Sequence, residues 1–163
     1  MLKEYFPYEY AESVFAIDYE KLLQKGFKGI IFDIDNTLAT YAMPVADENT
    51  HLWLKNLQEQ GFGVYIVSNN DRDRVRIFSE AAQVGYYGKA LKPLSIFLRK
   101  ACRKMGVKPR ETALVGDQLF TDIWGGNLLG MKTVLVKPIS EVEDGFVKFK
   151  RRFERRILAK MKK

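Results

Sequence analysis

The sequence predicts a single α/β domain built on a doubly wound parallel sheet, and three observations lead there. Short apolar runs of the kind buried on both faces of a sheet, at Ile30 to Phe32, Gly63 to Val67, Thr112 to Val115 and Lys132 to Val136, alternate with stretches of helical periodicity. The first three of these runs stop at polar tips, Asp33, Ser68 and Asp117. A chain of 163 residues with 47% hydrophobic content supports one real core, and two domains would be a squeeze.

In chain order, residues 1–28 are rich in aromatic side chains, include a short helix through Tyr19 to Lys25, and form a segment that packs on the core. The core occupies residues 29–140 and a basic amphipathic helix residues 141–163. After the first strand, Ala39 to Glu48 reads as a loop with Pro44, and a helix from about Asn49 to Gln60 ends at Gly61 as its C-cap. Arg72 to Gln83 is helical, with Val75, Phe78 and Ala82 on one face. Pro93 suits the first turn of a helix over Leu94 to Met105. Asp122 opens a helical stretch to Leu129, where Gly125 and Gly126 suggest close packing. His51 opens a polar helix as a surface residue, and Trp53 and Trp124 belong to packing.

The N-terminus lacks the apolar core of a secretory signal, and no stretch is long and apolar enough to span a bilayer. Cys102 is the only cysteine, sits in an apolar helical pattern and reads as a core thiol in a cytoplasmic protein. The net charge of +7 is localised: residues 146–163 hold nine Lys/Arg and one acid, Glu154, leaving the rest of the chain nearly neutral.

Asp33 and Asp35 are two apart on an extended chain, so they project the same way from a strand's carboxyl end, where open α/β sheets bind ligands. Like charges that close need a cation or a proton between them, and hard carboxylate oxygens suit Mg2+. Ser68, Lys92, Asp117 and Asp122 also fall at or just after strand ends, so a parallel sheet would gather all six along one edge. Singly, each has an ordinary explanation: a turn, a cap or a solvated charge.

Their order changes the reading. Asp33-Ile-Asp35-Asn-Thr-Leu, a strand ending in Ser68, Lys92-Pro93, and Gly116-Asp117-Gln-Leu-Phe-Thr-Asp122 together resemble the four motifs of the haloacid dehalogenase-like (HAD) phosphatase superfamily. The resemblance spans Gly29 to Val136 and implies a Rossmann-like core. It implies that Asp33 is the nucleophile that forms an aspartyl-phosphate and that Asp35 is the general acid and base. It further implies that Asp33, the Asp35 carbonyl and Asp117 bind Mg2+ with Asp122 holding a metal-bound water, while Ser68, Asn69 and Lys92 bind the phosphoryl group. The gaps between motifs leave no room for a cap domain, so the site should be open to a substrate whose bulk stays outside it.

In the tail, Val142, Phe146, Phe149, Phe153, Ile157 and Met161 recur every three or four residues, with basic side chains over most of the remainder. Such a helix reads as peripheral to an anionic membrane, where each basic side chain contributes about 1 kcal/mol. The competing reading packs the stripe on the body or on a second copy. A nucleic-acid partner is disfavoured, because aromatic interleaving for base stacking is absent beyond the Phe stripe. The capless body, Gly125-Gly-Asn127 after the fourth motif and the aromatic N-terminal segment resemble the YqeG group, related to the organellar phosphatidylglycerophosphatases. Leu128 stands where that group commonly has Arg. This resemblance implies a phosphorylated, anionic phospholipid substrate, phosphatidylglycerophosphate. The alternatives are a soluble capless phosphatase acting on a protein, nucleotide or nucleic-acid end, and a non-catalytic module holding RNA or a partner. Arg72 and Arg74 lie close enough to the second motif to reach an anionic head group.

Overall fold

A computed structural model describes residues 2–140 and 145–161. Six parallel strands form one sheet: β1 (Glu9–Ala11), β2 (Gly29–Phe32), β3 (Gly63–Val67), β4 (Gly85–Tyr87), β5 (Thr112–Gly116) and β6 (Lys132–Val136), in the order β1-β6-β5-β2-β3-β4. The chain winds outward from β2 through β3 to β4, then returns to β5 on β2's other side and continues to β6. That reversal places the carboxyl end of β2 at the switch point of the sheet, where an open α/β fold has its crevice.

Period-two alternation distributes the strand side chains between two cores. Ile30, Phe32, Val64, Ile66, Ala113 and Val115 face one layer, against Leu54 and Leu57 of α2 (Glu48–Glu59) and Val75 and Phe78 of α3 (Arg72–Ala82). Ile31, Val67 and Leu114 face the other, against Leu98, Ala101 and Cys102 of α4 (Ile96–Met105). The helix starts are capped locally: the Asp47 carboxylate accepts from the Thr50 amide (2.8 Å) and Asp71 from the Asp73 amide (3.0 Å). Gly61 follows α2 at φ +106°, a backbone region that glycine occupies without strain. Cys102 is buried within the second core.

Several elements differ from the sequence expectation. The N-terminal segment contributes the edge strand β1, parallel to β6, besides the short helix α1 (Tyr19–Gln24). With only three residues and Tyr10 exposed, it has no apolar run to announce it. α4 begins at Ile96, so Pro93 lies in the preceding turn and not in the helix's first turn. The stretch after the fourth motif is a π-type turn, Leu119–Ile123, leading into the single turn α5 (Trp124–Asn127). His51 is half-buried, with Nδ1 3.1 Å from the Ala82 carbonyl oxygen. Trp53 packs among Phe15, Tyr19 and Phe32, and Trp124 against Tyr5.

The Gly-Gly-Asn run has a packing reason. A Cβ on Gly126 would meet the Thr133 methyl at 2.5 Å, and the Asn127 side-chain amide donates to the carbonyls of Glu4 (2.7 Å) and Phe6 (2.9 Å). That amide ties the N-terminal segment down at the neighbouring strand.

The tail forms α6 (Gly145–Met161). Its inward face carries buried Val147 and Glu154, with Ile157 and Leu158 packed on Leu119, Ile123 and Leu135. Phe149 and Phe153, which the competing reading would bury on the body, are exposed and stack edge-on at 5.1 Å. Val142 of that stripe lies outside the described residues. No helix among the described residues is long and apolar enough to cross a membrane.

Candidate active site

Because every strand runs the same way, the loops that follow β2, β3, β4 and β5 meet at one edge. The ladder carries on one residue past β2, with the Asp33 amide donating to the Val115 carbonyl (3.0 Å), and then the chain turns. Asn36 sits at φ +60° and its amide donates to the Ala39 carbonyl (2.7 Å), closing the turn that presents Asp35. The Thr37 hydroxyl donates to Asp117 Oδ1 (3.1 Å), tying the first motif to the tip of β5.

Lys92 is the hub. Its ammonium, 1% exposed, lies 2.6 Å from Asp122 Oδ1 and 3.2 Å from Asp33 Oδ1. Two hydrogen bonds to the Asn69 side chain fix its backbone: the Lys92 amide donates to Asn69 Oδ1 (2.6 Å), and Asn69 Nδ2 donates to the Lys92 carbonyl (3.0 Å). The Asn69 amide, expected against substrate, therefore lines the cleft while holding the lysine loop. Ser68 is buried, and its Oγ accepts from the Asn70 amide (3.2 Å). Asp122 Oδ2 accepts from the Gln118 amide (3.2 Å), and a Cβ on Gly116 would stand 2.3 Å from the Asp122 carboxyl. Only glycine leaves that carboxylate room. Asp33, Asp35, Ser68, Asn69 and Lys92 line one cleft of about 380 Å³; buried Asp122 is paired with that Lys92, and Asp117 lines a neighbouring cleft beside the tail helix.

Carboxylate oxygens of Asp33, Asp117 and Asp122 all lie within 4.8 Å of one another, and all three residues are buried. Three hard oxygen donors suit a divalent cation, and Lys92 neutralises only one of their three charges. The electrostatics agree. Burial pushes the Asp33 carboxyl up to about 7 although Lys92 pulls it down, and Asp122 and Asp35 push it further up. Burial raises Asp117 to about 8 against the pull of Arg151, again with Asp33 and Asp122 adding to the rise. Burial works against the charge on Lys92, but Asp122 and Asp33 outweigh it and the net shift is upward. The cluster is short of positive charge. The Asp35 carboxylate is outside the trio: Asn70 Nδ2 donates to its Oδ2 (2.6 Å) and Arg74 to its Oδ1 (3.1 Å).

Two site residues were not legible as such. Arg74, expected at a head group, instead bonds Asp35 and the carbonyls of Thr40 (3.3 Å) and Met43 (2.5 Å). Arg151 of α6, expected among the basic side chains that meet an anionic membrane, donates to the Asp117 carboxylate and to its backbone carbonyl, and pairs with Glu154 at 3.2 Å. The available signal was Glu154 itself, the only acid among nine basic residues, spaced i,i+3 from Arg151.

Fold and site together define a hydrolase of the HAD class. The HAD-hydrolase-like family matches residues 90–138. The "Probable phosphatase YqeG" of Bacillus subtilis is 42% identical over 165 residues, covering 100% of this chain and 95% of the relative. A chloroplastic/mitochondrial phosphatidylglycerophosphate phosphatase of Arabidopsis thaliana is 32% identical over 80% of this chain, which spans 40% of that relative's length. Among solved structures, the cobalt-bound deoxy-D-mannose-octulosonate 8-phosphate phosphatase of Haemophilus influenzae superposes with a TM-score of 0.55 at 20% identity, covering 80% of this chain and 77% of that one. The chain belongs to the HAD-like phosphatases, in the capless group that includes YqeG. It is thus a phosphoric monoester hydrolase, as the order of its four motifs implies.

Proposed function

We propose that this phosphatase is Mg2+-dependent, works through an aspartyl-phosphate on Asp33, and takes phosphatidylglycerophosphate presented at an anionic membrane surface. The observation that carries the chemistry is the convergence of Asp33, Lys92, Asp117 and Asp122 in one buried cluster under an open cleft. Asp33 attacks phosphorus in line; the phosphorus–oxygen bond to the leaving group breaks as Asp35 delivers a proton to the departing alkoxide. Asp35 then takes a proton from the water that opens the aspartyl-phosphate, releasing phosphate and restoring Asp33. Lys92 and Ser68 hold the phosphoryl oxygens, and Asn69 keeps Lys92 aimed by its two backbone bonds. Asn70 and Arg74 orient the Asp35 carboxylate. Asp33, the Asp35 carbonyl and Asp117 would hold Mg2+, with Asp122 beside them, and the cation supplies the charge that offsets the phosphoryl oxygens in a loose transition state.

Three features support the lipid. The named activity of the Arabidopsis relative acts on that head group. Flanking buried Lys92 along the chain, three large aliphatic side chains, Leu91, Leu94 and Ile96, are exposed, an apolar surface suited to acyl chains. On α6, the face turned from the body carries exposed Phe149 and Phe153 among Arg152, Arg156 and Lys160, the composition of an interfacial helix. The same features support a peripheral position, which we assign to the inner face of a membrane.

The test is phosphate release by pure protein with Mg2+ from phosphatidylglycerophosphate in mixed micelles, against soluble phosphomonoesters. The lipid should be preferred by at least about tenfold in kcat/KM, equivalent to about 1.4 kcal/mol of transition-state binding. Efficient turnover of a soluble ester with none of the lipid would contradict the substrate.

A further inference from the structure

The guanidinium of Arg151 stands where the proposed metal centre needs a cation. It reaches Asp117 from α6, bonding both the backbone carbonyl and Oδ2, while the Thr37 hydroxyl takes Oδ1. Both oxygens of the proposed ligand therefore already have donors. With Lys92 set between Asp33 and Asp122, the three carboxylates retain two net negative charges; a divalent cation cancels both, whereas Arg151 cancels one. Two cations on one buried carboxylate repel, so each weakens the hold of the other there.

Arg151 is not a loose side chain. Glu154, 3% exposed, accepts from the Leu119 amide (2.8 Å) and from Arg151 (3.2 Å), and so locks α6 to the turn that carries Asp122. Val147 is buried one turn before Arg151, and Ile157 and Leu158 pack one turn beyond Glu154. The arginine is thus part of a docked helix. Arg151 lines, with Asp117, a cleft of about 460 Å³ between α6 and the end of β6, next to the one that holds Asp33.

We propose that Arg151 is an intramolecular competitor for the metal site, so that docking of α6 and loading of a divalent cation are antagonistic. The inference rests on the reading of the carboxylate cluster as the metal centre. Antagonism is reciprocal: whatever favours the undocked helix tightens cation binding by the same factor by which the cation favours undocking.

The experiment measures the Kd of Mn2+ for the metal-free full chain by calorimetry, for the parent and for Arg151→Gln, Arg151→Lys and Asp33→Asn, with circular dichroism confirming the fold. Arg151→Gln should bind Mn2+ about ten- to hundredfold more tightly, the range that one charge-assisted pair supplies. Arg151→Lys, which keeps a cation there, should tighten it less. In the parent, saturating Mn2+ should speed hydrogen exchange of the α6 amides. An unchanged Kd in Arg151→Gln, or α6 protection indifferent to bound Mn2+, overturns the inference while leaving the metal centre standing, provided that Asp33→Asn loses Mn2+. If Asp33→Asn binds Mn2+ as the parent does, the metal-centre reading fails and the inference with it.

Discussion

Replacing Lys92 with methionine isolates the electrostatic logic of the site. The ammonium is buried and serves two buried carboxylates, at 2.6 Å to Asp122 and 3.2 Å to Asp33. Methionine fills similar volume but leaves both acids without their cation, and removing one partner of a buried ion pair costs about 3–5 kcal/mol. At about 2–4 °C per kcal/mol for a chain of this size, the metal-free protein should melt about 6–20 °C lower. The loss should depend on pH with a definite sign. Asp33 already titrates at about 7 with Lys92 pulling it down, so in the variant it holds its proton to higher pH still. Below that point the protonated acid needs no partner, and above it the unpaired charge is felt in full. Lys92's own pKa is raised, so its contribution is present throughout the neutral range and is lost only at far higher pH. Calorimetric melting of both proteins in EDTA at about pH 5.5 and about pH 8.5 should therefore show a larger gap at the higher pH. A variant melting within about 2 °C of the parent at both pH values would refute the reasoning.

Other predictions follow from the same residues. In the metal-free parent, Asp33 and Asp117 titrate at about 7 and about 8, far above the ordinary value of 3.8, so the folded state binds protons that the unfolded chain releases. Their contribution to stability is complete below about pH 4 and is lost as pH rises through those values, so melting in EDTA should decline between about pH 5 and pH 8, and saturating Mg2+ should flatten the decline. Gly116→Ala sets a methyl against the Asp122 carboxyl at 2.3 Å, which should cost about 1–3 kcal/mol in urea unfolding and weaken Mn2+ binding. Asp33→Asn should keep the fold and lose turnover in a phosphate-release assay; a variant retaining most of its rate would remove Asp33 from the nucleophile's role.

Much of the architecture was legible because a strand buried on both faces has to be apolar throughout, and where it stops the chain must turn polar. That is why Asp33, Ser68 and Asp117 mark strand ends in the sequence and share an edge in the fold. Order along the chain did the rest, since only the parallel sheet converts four separated motifs into one cluster. Local periodicity carried less. β1 was silent because three residues at a sheet edge need no apolar run, and α4 started late because the turn that aims Lys92 occupies the residues before Ile96. The partners of Asp35 and Asp117 were hidden for another reason. Arg74 and Arg151 sit on helices whose surfaces are otherwise charged, and nothing in spacing distinguishes a guanidinium turned inward from one turned outward. On α6 the face that docks is Val147, Arg151, Glu154 and Leu158, with the polar pair at its centre, while Phe149 and Phe153 of the apolar stripe face away.

The central claim is that acids from separate strand tips share one divalent cation at the foot of the cleft. Anomalous diffraction from crystals grown with Mn2+ tests it most directly. A peak is expected bounded by the carboxylates of Asp33 and Asp117 and the Asp35 carbonyl, with Lys92 across from it. Full-occupancy Mn2+ bound elsewhere, with no peak between those groups, would contradict it.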